Sequence, residues 1–171
     1  MIEKFKRSLQ TNSVDILDEN NIEGIVELLV DKIPGKKILQ TGCMREDLYD
    51  FEPFFIKSHD AGKLGGSLTP LGELRQEIEV CRDFVDEKIL IVEKIAILHL
   101  KDSNKVFLVE KKIEPFNEEK WKKNGLYEEA LGLCTLAKRI FLEVGDFKLE
   151  NLGYDKEDNK LKFFDVFPKQ N

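Results

Sequence analysis

Apolar and polar residues along this chain follow two periods, and the places where the period changes mark out its elements. Near the start, Ile22, Ile25, Leu28, Leu29 and Ile33 recur at helical spacing behind Asn20-Asn21, which can cap a helix. Residues 1–33 therefore read as helical, up to a break at Pro34-Gly35. Three short runs with strand character follow, at residues 37–40, 47–51 and 54–57, the first two separated by a turn at Thr41-Gly42-Cys43. A loop containing Gly62, Gly65 and Gly66 leads to Thr69-Pro70, where Thr suits a helix cap and Pro the first turn. Leu71, Leu74, Ile78, Cys81 and Val85 then form an apolar stripe.

Residues 88–100 are rich in Ile, Val and Leu and read as a strand; Asp102-Ser103-Asn104 makes a turn, and residues 105–110 return. The charged stretch 115–123 reads as a loop with Trp121 as its packing anchor. Residues 126–143 read as a long helix with Leu126, Ala130, Leu133, Ala137, Ile140 and Phe141 on one side, ended by Gly145. A hairpin closes the pattern: residues 151–154, a polar turn at 155–159, and residues 161–164.

Composition narrows the function classes. With 171 residues and a hydrophobic fraction of 42%, the chain can bury one substantial core or two small lobes. Its net charge of −6 argues against nucleic acid or an anionic membrane as a partner. Cys43, Cys81 and Cys134 lie far apart with no metal spacing, which suits buried thiols in a reducing compartment. No apolar run is long enough to span a membrane, and the N-terminus lacks an apolar signal core. These features lead to the expectation of a cytoplasmic protein, or of an effector exported by a specialised secretion machine.

The chemistry concentrates near the C-terminus, in Gly145-Asp146-Phe147-Lys148-Leu149-Glu150-Asn151 and, after the hairpin, Phe163-Phe164-Asp165. A loop carboxylate at Asp146 can accept or orient a hydroxyl proton. Asn151 and Asp165 flank a hairpin that returns the chain to its start, and they offer the hard oxygens that Mg²⁺ prefers. Upstream, Phe54-Phe55-Ile56-Lys57 is an apolar strand ending in one lysine. On the helix that follows, Glu77 falls about 80° from the centre of the apolar stripe, at the edge of the buried face.

From about Lys37 to Phe167 the chain resembles the protein-kinase-like superfamily. The resemblance is most specific in the Asp146–Asp165 segment and least specific at Gly42, where one glycine stands in place of a glycine-rich loop. It implies an α+β fold: an antiparallel-sheet N-lobe with one packed helix, and a reduced helical C-lobe carrying the catalytic hairpin. It implies residues 1–36 as a helical extension, 37–112 as the N-lobe and 113–171 as the C-lobe of a single minimal kinase-like domain. ATP and Mg²⁺ are the implied cofactors. Asp146 and Lys148 take catalytic roles, and Asn151 and Asp165 ligate metal. Lys57, Glu77, Gly42 and the hinge residues Glu110 and Lys112 hold the nucleotide. The loop lacks the usual histidine before Gly145-Asp146, and Asp165-Val166-Phe167 lacks the usual glycine.

The chain stops at Asn171, soon after Asp165, without the helices on which such kinases dock substrates. It looks like a minimal Ser/Thr kinase, similar in economy to small effector kinases of bacterial pathogens. A protein substrate is expected, with a partner protein or a second copy completing the reduced lobe. Two alternatives stand beside this reading: a pseudokinase used as a binding module, and a small-molecule phosphotransferase of the aminoglycoside or choline kinase type, which the Gly145-Asp146 pair fits.

Overall fold

Alternation with a period of two builds much of the chain into one sheet. The computed structural model describes residues 16–17, 26–38, 47–59, 69–83, 89–141, 144–145, 147–164 and 167–168. Their strands include β1 (Ile16–Leu17), β2 (Val26–Val30), β3 (Lys36–Ile38), β4 (Leu48–Phe51), β5 (Phe54–His59), β6 (Lys94–Leu100) and β7 (Val106–Lys111). They form a seven-stranded sheet in the order β1-β2-β6-β7-β5-β4-β3. The chain divides into two compact units, Met1–Leu74 with Glu93–Lys112, and Arg75–Val92 with Ile113–Asn171. The whole sheet belongs to the first.

One face of the sheet is apolar. Leu28, Val30, Phe54, Ile56, Ile95, Ala96, Leu98, Phe107 and Val109 form a single buried cluster, with Tyr49, Phe51 and Ile33 packed against it. Phe54 and Ile56 come from alternate positions of β5, as do Leu28 and Val30 of β2, so each strand contributes one side. Gly35 has a φ of +95°, and a Cβ there would meet the Asp50 carbonyl oxygen at 2.5 Å. A larger residue could not make the turn between β2 and β3.

The helix expected over residues 1–33 is corrected where it can be seen: Val26–Val30 is a strand, paired in parallel with β6 from Val26↔Ala96 to Val30↔Leu100. Leu28 and Leu29 fit a helical stripe, but Leu28 and Val30 are the residues that reach the core, and their spacing of two is a strand's. The sheet supplies backbone partners that an isolated helix lacks, and packing overrides local preference. Ile22 and Ile25 lie outside the described residues. The sheet is accordingly mixed rather than antiparallel, although its other neighbouring strands are antiparallel.

The second unit combines helices with two small sheets. Helix α1 (Pro70–Asp83) is divided between the units after Leu74, and it starts where expected, with the Thr69 hydroxyl accepting from the Gly72 N–H at 3.2 Å. Residues 115–123, expected as a loop, contain helix α2 (Glu118–Lys123). Asn117 caps it by accepting from the Lys120 N–H at 2.9 Å, and Glu118, Glu119, Lys122 and Lys123 complement the helix dipole. Helix α3 (Leu126–Ile140) carries Ala130, Cys134 and Ala137 into a core with Trp121, Phe147, Leu152, Leu161 and Phe163.

Two further sheets complete this unit. β10 (Leu152–Asp155) pairs with β11 (Lys160–Phe163) and with β8 (Glu114–Pro115), and β9 (Val144–Gly145) pairs with β12 (Phe167–Pro168). The apolar run 88–100 proves to serve both units. Its second half is β6. Within its first half, Ile89 joins the second core and the 90–92 stretch binds β11 through Val92 N–H to Phe163 O and Phe163 N–H to Leu90 O, each at 2.8 Å.

Candidate active site

The second unit ties together the two stretches that carry the candidate chemistry. Asn151 closes a short 3-10 turn, Leu149–Asn151, its N–H bonded to the Lys148 carbonyl at 3.0 Å. Its own carbonyl accepts from the Phe164 N–H at 3.0 Å, one step beyond the Leu152↔Phe163 pair of the hairpin. On the other side, Gly145 pairs with Phe167 across β9 and β12. The rings of Phe147 and Phe163 meet edge to face at 5.0 Å in the core. The chain is therefore held together on both sides of Asp146 and of Asp165. These two carboxylates themselves, like Gly42, lie outside the described residues.

Asn151 is only 6% exposed and Lys148 is exposed, so the turn presents one side chain inward and one outward. An amide oxygen is a suitable hard donor for Mg²⁺. Among the described residues no group of three or more His, Cys, Asp or Glu side chains could hold a metal ion.

In the first unit, Lys57 lies on the face of the sheet opposite the apolar cluster, because Phe54 and Ile56 take the other side of β5. Its ammonium pairs with Glu110 Oε1 at 2.5 Å. The other oxygen of the same carboxylate pairs with Lys94 at 2.9 Å. All three side chains are at least nine-tenths buried. A carboxylate shared by two buried ammonium groups offsets the cost of removing all three charges from water; removing it would leave buried charges uncompensated.

Lys94 reaches this cluster through an irregularity in β6. Ala96 pairs with Val109 and Lys94 with Glu110, so Ile95 is an extra residue in the ladder. In a regular strand Lys94 would point the same way as Ala96, into the apolar cluster. The bulge lets Ile95 and Ala96 both join that cluster and turns Lys94 to the side of Lys57 and Glu110.

Glu110 and Lys112 were expected to act through backbone groups at a hinge. Glu110 is a strand residue paired with Phe55 and Lys94, and its side chain is what engages Lys57. The Lys112 N–H donates to the Pro53 carbonyl at 2.9 Å, and that of Lys111 to Glu93 at 3.0 Å. The Lys112 ammonium binds Asp50 at 2.8 Å and Glu52 at 2.6 Å and lies 5.3 Å from the centre of the Phe55 ring. Hydrogen bonds to Asp50 and then Glu52 raise its pKa above the usual lysine value. Glu77 is buried, 1% exposed, in the part of α1 that belongs to the second unit. The sequence reading missed the Glu110 carboxylate and Lys94 altogether, and no sequence signal marks the bulge that brings Lys94 in.

No protein-family model matches the chain, and no curated protein matches it. Among solved structures it is similar to the Cydia pomonella granulovirus kinase PK-1, at 16% identity and a TM-score of 0.42. The match covers 95% of this chain and 55% of that kinase, so the chain spans about half its length. The fold shown is mixed α+β. No helix among the described residues is long and apolar enough to cross a membrane.

Proposed function

We propose that the protein is an Mg-ATP-dependent phosphotransferase acting on protein Ser or Thr hydroxyls. The observation that carries this reading is the double tie in the second unit: the Asn151–Phe164 hydrogen bond on one side and the Gly145↔Phe167 pair on the other. These ties support a reading in which the segment bearing Asp146, Lys148 and Asn151 works with the one bearing Asp165, a residue set suited to phosphoryl transfer.

In this reading Asp146 takes the proton of the acceptor hydroxyl. The hydroxyl oxygen bonds to the γ-phosphorus as the bond to the bridging oxygen breaks, and ADP leaves. Lys148, exposed beside the turn, neutralises charge on the transferred group, while Lys57 serves the remaining phosphates. Asn151 and Asp165 would hold Mg²⁺, which when bound supplies divalent charge to the phosphate oxygens.

The test is transfer of labelled phosphate from ATP to the protein itself or to proteins of a cell extract. The wild type should label, and Asp146→Ala should lower the rate by at least about 100-fold, in line with loss of a general base. Equal labelling by the two proteins would sink the proposal.

A pseudokinase, a binding module that uses the fold for contacts without turnover, is favoured by one observation. The N–H groups of Lys111 and Lys112, which a kinase hinge would offer to adenine, are engaged within the first unit. Absence of labelling together with absence of metal-dependent stabilisation by ATP would select this second reading, and strong stabilisation lost in Asp165→Ala would count against it.

A further inference from the structure

We infer that Glu110 is the positioning residue for Lys57, holding its ammonium from within the sheet, with Lys94 fixing the far oxygen of the same carboxylate. The inference rests on the phosphotransferase reading and assigns to the sheet a task that the sequence left to a helix glutamate. Three observations carry it. Glu110 Oε1 and Lys57 Nζ are 2.5 Å apart, and both side chains are buried. Glu110 lies on a strand paired on both sides, with Phe55 in one neighbour and Lys94 in the other, so its backbone is fixed by two ladders. The bulge at Ile95 turns Lys94 toward the same carboxylate, where its ammonium lies 2.9 Å from Oε2.

A regular strand would have sent Lys94 into the apolar cluster, where a charge is costly. The bulge avoids that and gives the carboxylate a second anchor. With both oxygens engaged, Glu110 cannot rotate without breaking an ion pair, so it offers the Lys57 ammonium a fixed partner. A lysine held this way keeps its aim before any ligand arrives, so less ordering is left for the binding step. Lys57, Lys94 and Glu110 belong to one unit.

The experiment is a double-mutant cycle on kcat/KM for ATP, using the full chain with Mg²⁺ and an acceptor identified by the labelling test. Glu110→Gln keeps the shape of the side chain and removes its charge. It should lower kcat/KM by about 10- to 100-fold, mostly through KM, the size expected for losing a charge-assisted hydrogen bond. In a Lys57→Met background the same change should cost less than about twofold, because Glu110 acts through Lys57. Glu110→Asp, which keeps the charge but shortens the reach, should fall in between.

If Glu110→Gln does not fold, Glu110→Gln with Lys94→Met removes one charge of each sign and should show the same loss. Circular dichroism melting establishes that the variants compared are folded. Full activity in Glu110→Gln or in the charge-balanced double variant overturns the inference. So does an equal loss with and without Lys57, which marks a purely structural role. An inactive wild type instead overturns the phosphotransferase reading and this inference with it.

Discussion

Substituting Gly153 by alanine tests the hairpin on which the candidate site is built. Gly153 lies in β10, opposite Pro115 of β8 and Lys162 of β11. A Cβ there would meet Ile113 Cδ1 at 2.4 Å, Ile113 Cγ1 at 2.7 Å and the Glu114 carbonyl oxygen at 2.9 Å. Carbon atoms in contact sit about 3.5–4.0 Å apart, so more than about 1 Å must be found against a side chain that is itself buried. Overpacking of this kind costs about 1–3 kcal/mol. Loss of freedom in the unfolded chain returns about 0.4–1 kcal/mol, leaving a net destabilisation of about 1–2 kcal/mol.

Trp121 makes the measurement direct. It is the chain's one tryptophan, and it is buried in the same unit as Gly153. Its fluorescence during denaturant unfolding therefore reports the unit in question. The Gly153→Ala midpoint should fall at unchanged slope. Ile113→Val removes Cδ1, the nearest clashing atom, and costs about 0.5–1.5 kcal/mol alone. Combined with Gly153→Ala it should lose less than the sum, by at least about 0.5 kcal/mol. An unmoved midpoint in the single variant, or strict additivity in the double, refutes the reasoning. Phosphate transfer should fall in Gly153→Ala as well, since Asn151 lies two residues away along the chain.

Further outcomes follow from titratable groups of the second unit. The carboxyl of Glu114 is held below its usual range by the ammonium groups of Lys120 and then Lys156, the latter at 2.9 Å. A carboxyl pKa depressed on folding adds stability above the unfolded value of about 4.3 and loses it as pH falls through the folded value. The stability gap between wild type and Glu114→Gln should therefore shrink from pH 6 to pH 3, and also in 1 M salt because both lysines are largely exposed; a gap constant with pH would contradict this. Burial raises the Cys134 thiol above its usual pKa. With Cys43→Ser and Cys81→Ser in place, its reaction with a disulfide reagent at pH 8 should proceed only as fast as the native state opens, and rapid labelling of the folded protein would count against its burial.

Much of the local structure is legible in the residues. Thr69-Pro70 opens a helix because a hydroxyl and a fixed φ suit its first turn, and α3 follows from an apolar stripe at helical spacing. The hairpin around the 155–159 turn follows from short apolar strands either side of a polar run, with Asn159 in the left-handed conformation that asparagine tolerates. Helix α2 was also legible, in Asn117 followed by two acids and then three lysines, but its high charge read as a loop.

The sequence by itself determined helices α1 and α3, the hairpin of β10 and β11, the α+β class, and the spacing from Asp146 through Asn151 to Asp165. These depend on residues near one another in the chain, where periodicity, caps and turn chemistry act. Only the tertiary structure decided that Val26–Val30 is a strand, since its pairing partner β6 lies some seventy residues away. Only the tertiary structure divided the 88–100 run between two cores. The bulge that turns Lys94 onto the carboxylate shared with Lys57 was likewise settled in three dimensions. It depends on which residues of two strands can share one apolar face, a competition between distant parts of the chain that no local pattern records.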